Sequence, residues 1–139
     1  MAVSSTFADI EAVTERWEKA LSSRDLEALV ATYAPDAVLE SPLVPHILGS
    51  ESGVLRGHDE LRPFLAKVLS RTPPLRHYHR EGFMTDGRRA MWEYPRDAPD
   101  GEQMDFVEVM EIEDSLIRLH HVYWGWRGVK VILDDAYHL

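Results

Sequence analysis

The spacing of apolar residues changes once along the chain, from a helical period to strand alternation. In the first half, apolar residues recur every three or four positions over three separate stretches, which is typical of amphipathic helices. After residue 75, apolar and polar residues alternate, which is typical of half-buried strands. The predicted order is helix, helix, strand, helix and then a meander of four strands. This order predicts the α+β class, in which helices pack against a mostly antiparallel sheet.

Three helices are predicted in the first half of the chain. Residues 6–9 have the form of a capping box and begin the first helix. Asp25 caps a second helix, whose apolar stripe includes Tyr33 and which Pro35 ends. The third helix opens at residues 57–60. The connecting segments are predicted as a strand over residues 36–42 and a long loop over residues 43–55, with at most a short strand near Val54.

Four strands are predicted after residue 75, namely His77–Met84, Arg89–Tyr94, Met104–Ile112 and Leu116–Trp126. Asp86-Gly87 is a tight-turn signal between the first two strands. The segment Pro95–Gly101 reads as a looser connection because it contains two prolines. The sequence leaves open which face of the second strand points inward. It also leaves the tail from Arg127 open between one turn of helix and a final edge strand.

The last two strands form a predicted hairpin that carries one carboxyl group in an apolar row. Because successive side chains point to opposite faces, Glu108 shares its face with Phe106 and Met110. A three-residue loop places Glu108 opposite His120, whereas a two-residue loop places it opposite His121. We favour the three-residue loop, which is a common hairpin class. Either register predicts a histidine across from Glu108.

Composition excludes several classes of function. The chain has 139 residues and no cysteine, which suggests one domain over residues 1–139 and excludes disulfides and thiolate metal sites. Its 15 basic and 24 acidic residues give a net charge of −9, which argues against nucleic acid and anionic membranes as partners. No apolar run approaches the length of a membrane span, and the N-terminus has no signal-peptide pattern. We therefore expect a cytoplasmic protein.

Several segments together resemble the nuclear transport factor 2-like superfamily, and within it the SnoaL-like polyketide cyclases and the ketosteroid isomerases. The segments that carry this resemblance are Arg16-Trp17, Asp25–Leu29, Tyr33–Pro42, Leu55–Leu61 and Tyr123-Trp124. The resemblance covers nearly the whole chain. It implies a cone-shaped α+β barrel, in which a strongly curved, mostly antiparallel sheet wraps over about three N-terminal helices around an apolar pocket. It also implies a homodimer through the sheet. The superfamily hosts isomerases, cyclases, dehydratases, epoxide hydrolases and binding domains, so the activity has to be argued from the site.

Carried over residue by residue, the isomerase pattern is half retained. The general base of the isomerases, an Asp, matches Ser41, and a serine cannot shuttle a proton as a carboxylate does. This substitution argues against isomerisation of 3-ketosteroids. The protonated Asp of the oxyanion hole matches Glu108, and the first-helix tyrosine matches Trp17, whose indole N–H donates but does not exchange a proton near neutral pH. The resemblance further implies that Trp124 and Tyr33 line the pocket.

We hypothesise that Glu108 and His120 form a coupled acid–base pair. His120 would act as the base, Glu108 as the acid or oxyanion donor, and Trp17 would lend its N–H. This set suits cofactor-free proton abstraction beside the carbonyl of a hydrophobic, polyketide- or steroid-like compound, by an isomerase, cyclase or dehydratase. The alternative is a non-catalytic ligand-binding or dimerisation domain, in which a buried Glu and His only satisfy each other. The predicted ligand-binding residues are Trp17, Tyr33, Ser41, Phe106, Met110, Val122 and Trp124.

Two further kinds of site are weaker candidates. Epoxide hydrolysis on the same scaffold needs an Asp–Arg–Asp set, and Arg96 and Asp97 fall in the predicted connection rather than in the pocket. His77 and His79 share a strand face, and His46 lies in the predicted loop, so a metal site made only of histidines is conceivable. Histidines on a half-exposed strand are far more common than ligands at this spacing. We therefore expect neither a metal nor an organic cofactor.

Overall fold

The computed structural model describes residues 6–71, 82–98 and 101–134 of the chain. The helices are α1 (Phe7–Ser22), α2 (Leu26–Ala31), α3 (Leu43–Leu48), α4 (Gly57–Arg71) and α5 (Trp126–Leu133). The strands are β1 (Tyr33–Glu40), β2 (Val54–Arg56), β3 (Met84–Thr85), β4 (Arg89–Asp97), β5 (Gln103–Glu113) and β6 (Leu116–Trp124). The predicted α+β class is confirmed, with helices on one side of a curved sheet.

The six strands form one open sheet in the order β2-β1-β6-β5-β4-β3. Strands β1 and β6 run parallel, and the other described pairs run antiparallel. The inner face of the sheet and the apolar faces of α1, α2 and α4 enclose the hydrophobic core. Among residues 6–71, 82–98 and 101–134, no helix is long and apolar enough to cross a membrane.

The predicted capping box at the start of α1 is confirmed. The Thr6 hydroxyl accepts the N–H of Asp9 at 3.2 Å, and the Asp9 carboxylate accepts the N–H of Thr6 at 3.2 Å. Two otherwise unpaired donors of the first turn are thereby satisfied. The helix then buries Ile10, Val13 and Trp17, which follow at the predicted spacing. This places the Trp17 indole against the inner face of the sheet.

The second helix ends earlier than predicted, so Tyr33 belongs to a strand. Helix α2 stops at Ala31, and the Thr32 hydroxyl donates to the carbonyl of Leu29 at 2.6 Å. Strand β1 begins at Tyr33 and contains Pro35. A proline drives the residue before it into extended conformations, so the helix cannot continue to it. The Tyr33 side chain consequently projects from the sheet rather than from a helix.

Three other predictions about elements are corrected by the structure, and one assignment that the sequence left open is decided. The segment predicted as a loop over residues 43–55 contains α3, which ends at Gly49 with a φ of 69°, whereas the short strand near Val54 is confirmed. The described part of the tail is helical, as α5, and β6 ends at Trp124 instead of Trp126. Strand β4 continues to Asp97, so this part of the predicted connection is wrong. Most of the strand predicted at 77–84 lies outside the described residues.

The hairpin has neither of the two predicted registers. Its loop is Asp114-Ser115, with φ of 53° and 61°, so the favoured three-residue loop is wrong. A bulge then shifts the pairing, because Ile112 pairs with Ile117 whereas Glu111 pairs with Leu119. The shift turns the later residues of β6 over to the opposite face. As a result, His120 faces the core, and the residue after it faces outward.

Candidate functional site

A cavity of about 70 Å³ lies between the inner face of the sheet and helices α1, α2, α3 and α4. Its lining is apolar except for a few polar groups. The helical and loop residues on its wall are Trp17, Leu21, Leu29, Ser41, Leu43, Phe64, Leu65 and Val68. The strand residues on its wall are Tyr33, Leu39, Tyr94, Arg96, Phe106, Glu108, His120, Val122 and Trp124. Concave, mostly apolar sites with a few polar groups are the usual form of small-molecule pockets.

The cavity has a buried end and an end that reaches solvent. The buried end is formed by Trp17, Tyr33, Glu108 and His120, all at most 4% exposed. The other end is formed by partly exposed residues, and we call it the mouth: Leu43, Val68, Arg96, Val122 and Trp124. A ligand that enters from the mouth therefore passes Arg96 and apolar walls before it reaches the polar groups of the buried end.

Five side chains at the buried end form a chain of hydrogen bonds. The indole Nε1–H of Trp17 donates to Tyr33 Oη at 3.0 Å, and Tyr33 Oη lies 2.8 Å from His120 Nδ1. His120 Nε2 lies 2.6 Å from Glu108 Oε1. The Tyr94 hydroxyl donates to Glu108 Oε2 at 2.7 Å. We call these five residues the polar chain.

One arrangement of protons lets the bonds of the polar chain run in a single direction. In it, Tyr33 Oη accepts from Trp17, which can only donate, and turns its own hydrogen toward His120 Nδ1. His120 then carries its proton on Nε2 and donates it to Glu108. The carboxylate accepts from His120 on one oxygen and from Tyr94 on the other. In this arrangement, the donors of the chain point toward Glu108 and hold both of its oxygens in place.

Burial makes this carboxylate unusual. The side chains of Glu108 and His120 are each 3% exposed. A charged group in such a place is retained only when it is paired and hydrogen-bonded. The strand neighbours of Glu108 are Trp92 on β4 and Val122 on β6, so its flanks are apolar. The site therefore holds one desolvated carboxylate beside a cavity, in an orientation fixed by two donors.

The structure brings most of the predicted site residues together. Glu108 and His120 contact each other on the cavity wall, together with Trp17, Tyr33, Ser41, Phe106, Val122 and Trp124. Met110 is the exception, because it pairs with Ala90 and His120 farther from the mouth and is fully buried without lining the cavity. Met110 therefore lies apart from the other predicted ligand-binding residues.

Two predicted residues lie in the cavity wall with polar groups already engaged. The N–H of Trp17 is directed to Tyr33, so it acts through the polar chain. The hydroxyl of Ser41 accepts the backbone N–H of Leu43 at 3.1 Å, at the start of α3. A hydroxyl that accepts one hydrogen bond keeps its own hydrogen for another acceptor. Ser41 can therefore offer a donor to a ligand oxygen.

Tyr94 and Arg96 belong to the site and were not predicted there. Both follow Trp92 at intervals of two on β4, and all three point inward. The alternation was visible in the sequence, but its inward face was not. Arg96 was assigned to a connection because of Pro95, which instead lies on the outer face of the strand. Continuing the period of two through the proline would have placed Arg96 beside Tyr94.

The second histidine of the hairpin does not join this site. His121 lies on the outer face, where its Nε2 is 3.2 Å from Glu40 Oε2 and its Nδ1 is 3.2 Å from Tyr123 Oη. His77 and His79 lie outside the described residues. Within the part of the chain that the structure describes, no group of three or more His, Cys, Asp or Glu side chains has the arrangement of a metal site.

Comparisons with known proteins agree with this architecture. The SnoaL-like domain family matches residues 14–120, which is more than half of the chain. No curated protein matches. A SnoaL-like protein of unknown function from Burkholderia thailandensis is similar in structure, with 22% identity over 86% of this chain and 98% of that one and a TM-score of 0.69.

Two other solved structures are similar to the same extent. A nuclear transport factor 2-like protein of unknown function from Burkholderia pseudomallei has 22% identity over 89% of this chain and 96% of that one, with a TM-score of 0.70. TerC, crystallised with polyporic acid, has 18% identity over 91% of this chain and 98% of that one, with a TM-score of 0.71. The match over residues 14–120 shows that the chain belongs to the family of SnoaL-like domains, within the nuclear transport factor 2-like superfamily.

Proposed function

We propose that this protein is an enzyme that binds a hydrophobic carbonyl compound and moves a proton beside the carbonyl group, without a cofactor. The observation that carries the proposal is the polar chain on the wall of an apolar cavity. A desolvated, oriented carboxylate is a good base for a carbon acid, because water does not compete for it. Isomerisation, cyclisation and dehydration can all begin with this proton transfer.

The geometry favours an exchange of the two roles that the sequence suggested. Both ring nitrogens of His120 are engaged, Nδ1 by Tyr33 and Nε2 by Glu108, so neither nitrogen is directed at a ligand. Each oxygen of Glu108 accepts one hydrogen bond and has a further lone pair. Glu108 is therefore the proposed base, and His120 is a positioning residue that donates to it.

A hydrogen-bond donor for the substrate carbonyl is also available. As negative charge develops on the oxygen of an enolate, a donor fixed near it lowers the barrier. Ser41 lines the cavity, and its hydroxyl oxygen accepts the N–H of Leu43, so the hydroxyl hydrogen is not used in that contact. We assign it this role, in place of the base that the isomerase pattern has at this position.

Deuterium exchange into a simple ketone tests the proposal. Acetophenone is a small, apolar carbonyl compound with an enolisable methyl group. In D2O, the wild-type protein should incorporate deuterium into this methyl group faster than buffer alone, as followed by proton NMR. The Glu108→Gln variant should lose about 100-fold or more of the added rate, since general-base catalysis typically contributes that much.

The matched control is Glu111→Gln. Glu111 lies on the same strand but points outward to Arg88, so its variant should retain the full rate. A rate in the Glu108→Gln variant equal to that of the wild type would remove Glu108 from the mechanism. Binding of acetophenone without any exchange by the wild type would refute the proposed catalysis.

The second candidate is a non-catalytic ligand-binding domain of the same family. Two observations favour it: Ser41 stands where the isomerases have their base, and the cavity volume of about 70 Å³ is small beside the roughly 300–1,000 Å³ of common ligand pockets. The structure of TerC with polyporic acid supports ligand binding on this fold. Binding without exchange in the experiment above would favour this candidate.

We also propose a homodimer through the outer face of the sheet. Met84, Met91 and Tyr123 expose 66%, 39% and 55% of their surface on this face, and Val109 and Leu119 lie between them. Exposed apolar patches on a sheet commonly mark interfaces. Light scattering after gel filtration should give twice the chain mass of 15.9 kDa, and Met91→Lys should shift it to a monomer. A monomeric wild type would contradict this assembly.

A further inference from the structure

Arg96 is a cation on the inner face of an otherwise apolar strand. It follows Trp92 and Tyr94 at the period of two and lines the mouth of the cavity. Its guanidinium carbon lies 5.4 Å from the centre of the Phe106 ring, within the range of a cation–π contact. This contact holds the guanidinium against the cavity wall beside Phe106.

No carboxylate of the described residues forms an ion pair with Arg96, although the chain carries 24 acidic residues. By contrast, Arg62, Arg89, Arg118 and Arg127 each have a carboxylate partner at the surface. A partly buried cation among apolar side chains is costly unless an anion or water satisfies it. Arg96 thus presents an unmatched positive charge where a ligand enters.

We propose that Arg96 binds a carboxylate of the ligand, so that the substrate is a keto acid with an apolar middle. This inference rests on the proposed function, whose carbonyl chemistry it places at the buried end. Arginine suits this task because its fork of N–H groups matches the two oxygens of a carboxylate. In a chain with a net charge of −9, an anion needs such a specific cation to bind.

The positions of Arg96 and Glu108 on the sheet bear on the length of the substrate. Arg96 pairs with Met104, and Glu108 lies four residues farther along β5. At a rise of roughly 3.3 Å per residue, the two backbone positions are about 13 Å apart. The side chains shorten this span, because the Arg96 guanidinium lies over the ring of Phe106, two residues from Glu108. We therefore infer a ligand whose carboxylate and reacting carbonyl are separated by a short apolar segment, such as one aromatic ring, rather than adjacent as in an α-keto acid.

The probe pair is 4-acetylbenzoate and its neutral counterpart 4-acetylbenzamide, which have the same ring and the same enolisable ketone. Calorimetry or NMR titration at millimolar concentration gives both dissociation constants for the full chain. The wild type should bind the acid about tenfold or more tightly than the amide, as expected for a charge-assisted, bidentate contact. The Arg96→Gln variant should bind both compounds equally and keep the wild-type affinity for the amide.

Two further variants separate charge from position. Arg62→Gln removes the same charge from the outer side of α4 and should preserve the preference for the acid. Arg96→Lys keeps the charge without the fork and should retain part of the preference, which also covers the case in which Arg96→Gln does not fold. Equal binding of acid and amide by the wild type, a preference that survives in Arg96→Gln, or no binding of the acid would overturn the proposal.

The exchange reaction distinguishes this inference from the proposed function. A preference for the acid without deuterium exchange would leave the role of Arg96 intact and refute the catalysis. Exchange on both compounds without a preference would support the catalysis and refute the role of Arg96. Glu108→Gln should keep the preference for the acid, because it alters only the buried end of the cavity.

Discussion

Glu108 Oε1 lies 2.6 Å from His120 Nε2, although the hairpin pairs Glu108 with Val122 and His120 with Met110. The two residues are diagonal neighbours on one face, a distance that long side chains can cross. They share this face because a bulge lies between the hairpin loop and His120. Without the bulge, the two-residue loop would have placed the next residue, His121, in the cavity. One extra residue therefore decides which histidine orients the carboxylate.

Removing the carboxylate should destabilise the protein far more than neutralising it. Glu108→Ala leaves the His120 N–H and the Tyr94 hydroxyl buried without an acceptor, and we expect a loss of about 3–5 kcal/mol in the free energy of unfolding. Glu108→Gln keeps one acceptor and the shape, so its loss should stay below about 2 kcal/mol. Urea denaturation measures both values. Glu111→Ala, on the outer face, is the control, and equal losses for the Ala and Gln variants at position 108 would contradict the prediction.

The sequence predicted a contact between Glu108 and a histidine on one face, because side-chain parity on strands is a local property, but it placed the histidine directly opposite Glu108, where the structure has Val122. It did not predict the register, since a two-residue loop and a bulge had to be combined to bring His120 inward. Bulges depend on how a strand fits both of its neighbours, and no local residue pattern marks this one. Helices α1 and α4 followed from their apolar spacing for a similar local reason, whereas α3 was missed because its segment lacks a sustained period.

The polar chain was beyond sequence analysis for a different reason. Tyr33 was placed on a helical stripe, and only the early end of α2 transfers it to the sheet beside His120. Tyr94 lay on a strand whose inward face the sequence left open. Both assignments depend on tertiary packing, which overrides local preferences. The acid–base pair was therefore predictable, whereas its two tyrosine partners were not.

The tautomer of His120 provides a test of the proton arrangement. If Tyr33 donates to Nδ1, the ring carries its proton on Nε2, and ¹⁵N NMR of the imidazole should show an unprotonated Nδ1. Tyr33→Phe removes this donor together with the acceptor for Trp17, and we expect a loss of about 1–3 kcal/mol in stability. Tyr123→Phe, beside His121 on the outer face, should leave the His120 signals unchanged. A proton on Nδ1 of the wild type would contradict the arrangement.

The contribution of Asp86 to stability, through the turn between β3 and β4, should decrease at acidic pH. Its carboxylate accepts the backbone N–H of Arg89 at 2.8 Å and that of Arg88 at 3.0 Å, and these bonds lower the pKa of Asp86 from 3.8 to about 2. A lowered pKa in the folded state means that the carboxylate stabilises the fold above pH 4 and loses this effect as the pH falls toward 2.

Carboxyl ¹³C NMR measures the titration of Asp86 directly, and Asp86→Asn identifies the signal by its absence. The variant should be less stable than the wild type at neutral pH, and the difference should shrink as the pH approaches 2. A midpoint near 3.8 in the folded protein would show that the backbone bonds do not hold the carboxylate.

Replacing Gly128 should lower the stability of the protein, although it lies within helix α5. Elsewhere in a helix, replacing glycine by alanine gains roughly 1 kcal/mol. At Gly128, however, a Cβ atom would lie 2.8 Å from Cε3 of Trp124, a rigid ring that lines the mouth of the cavity. Gly128→Ala must displace this ring or the helix, and we expect a net loss of about 1–3 kcal/mol.

The same variant should weaken ligand binding. The ring of Trp124 packs edge-on against that of Phe106, with 4.7 Å between the ring centres, and the Phe106 ring in turn contacts the guanidinium of Arg96. Thermal unfolding and titration with 4-acetylbenzoate measure the two effects on one protein. Lys130→Ala, on the exposed side of α5, is the control and should alter neither quantity beyond the loss of a surface ion pair. A Gly128→Ala variant with higher stability and unchanged affinity would mean that Trp124 can yield without disturbing the mouth.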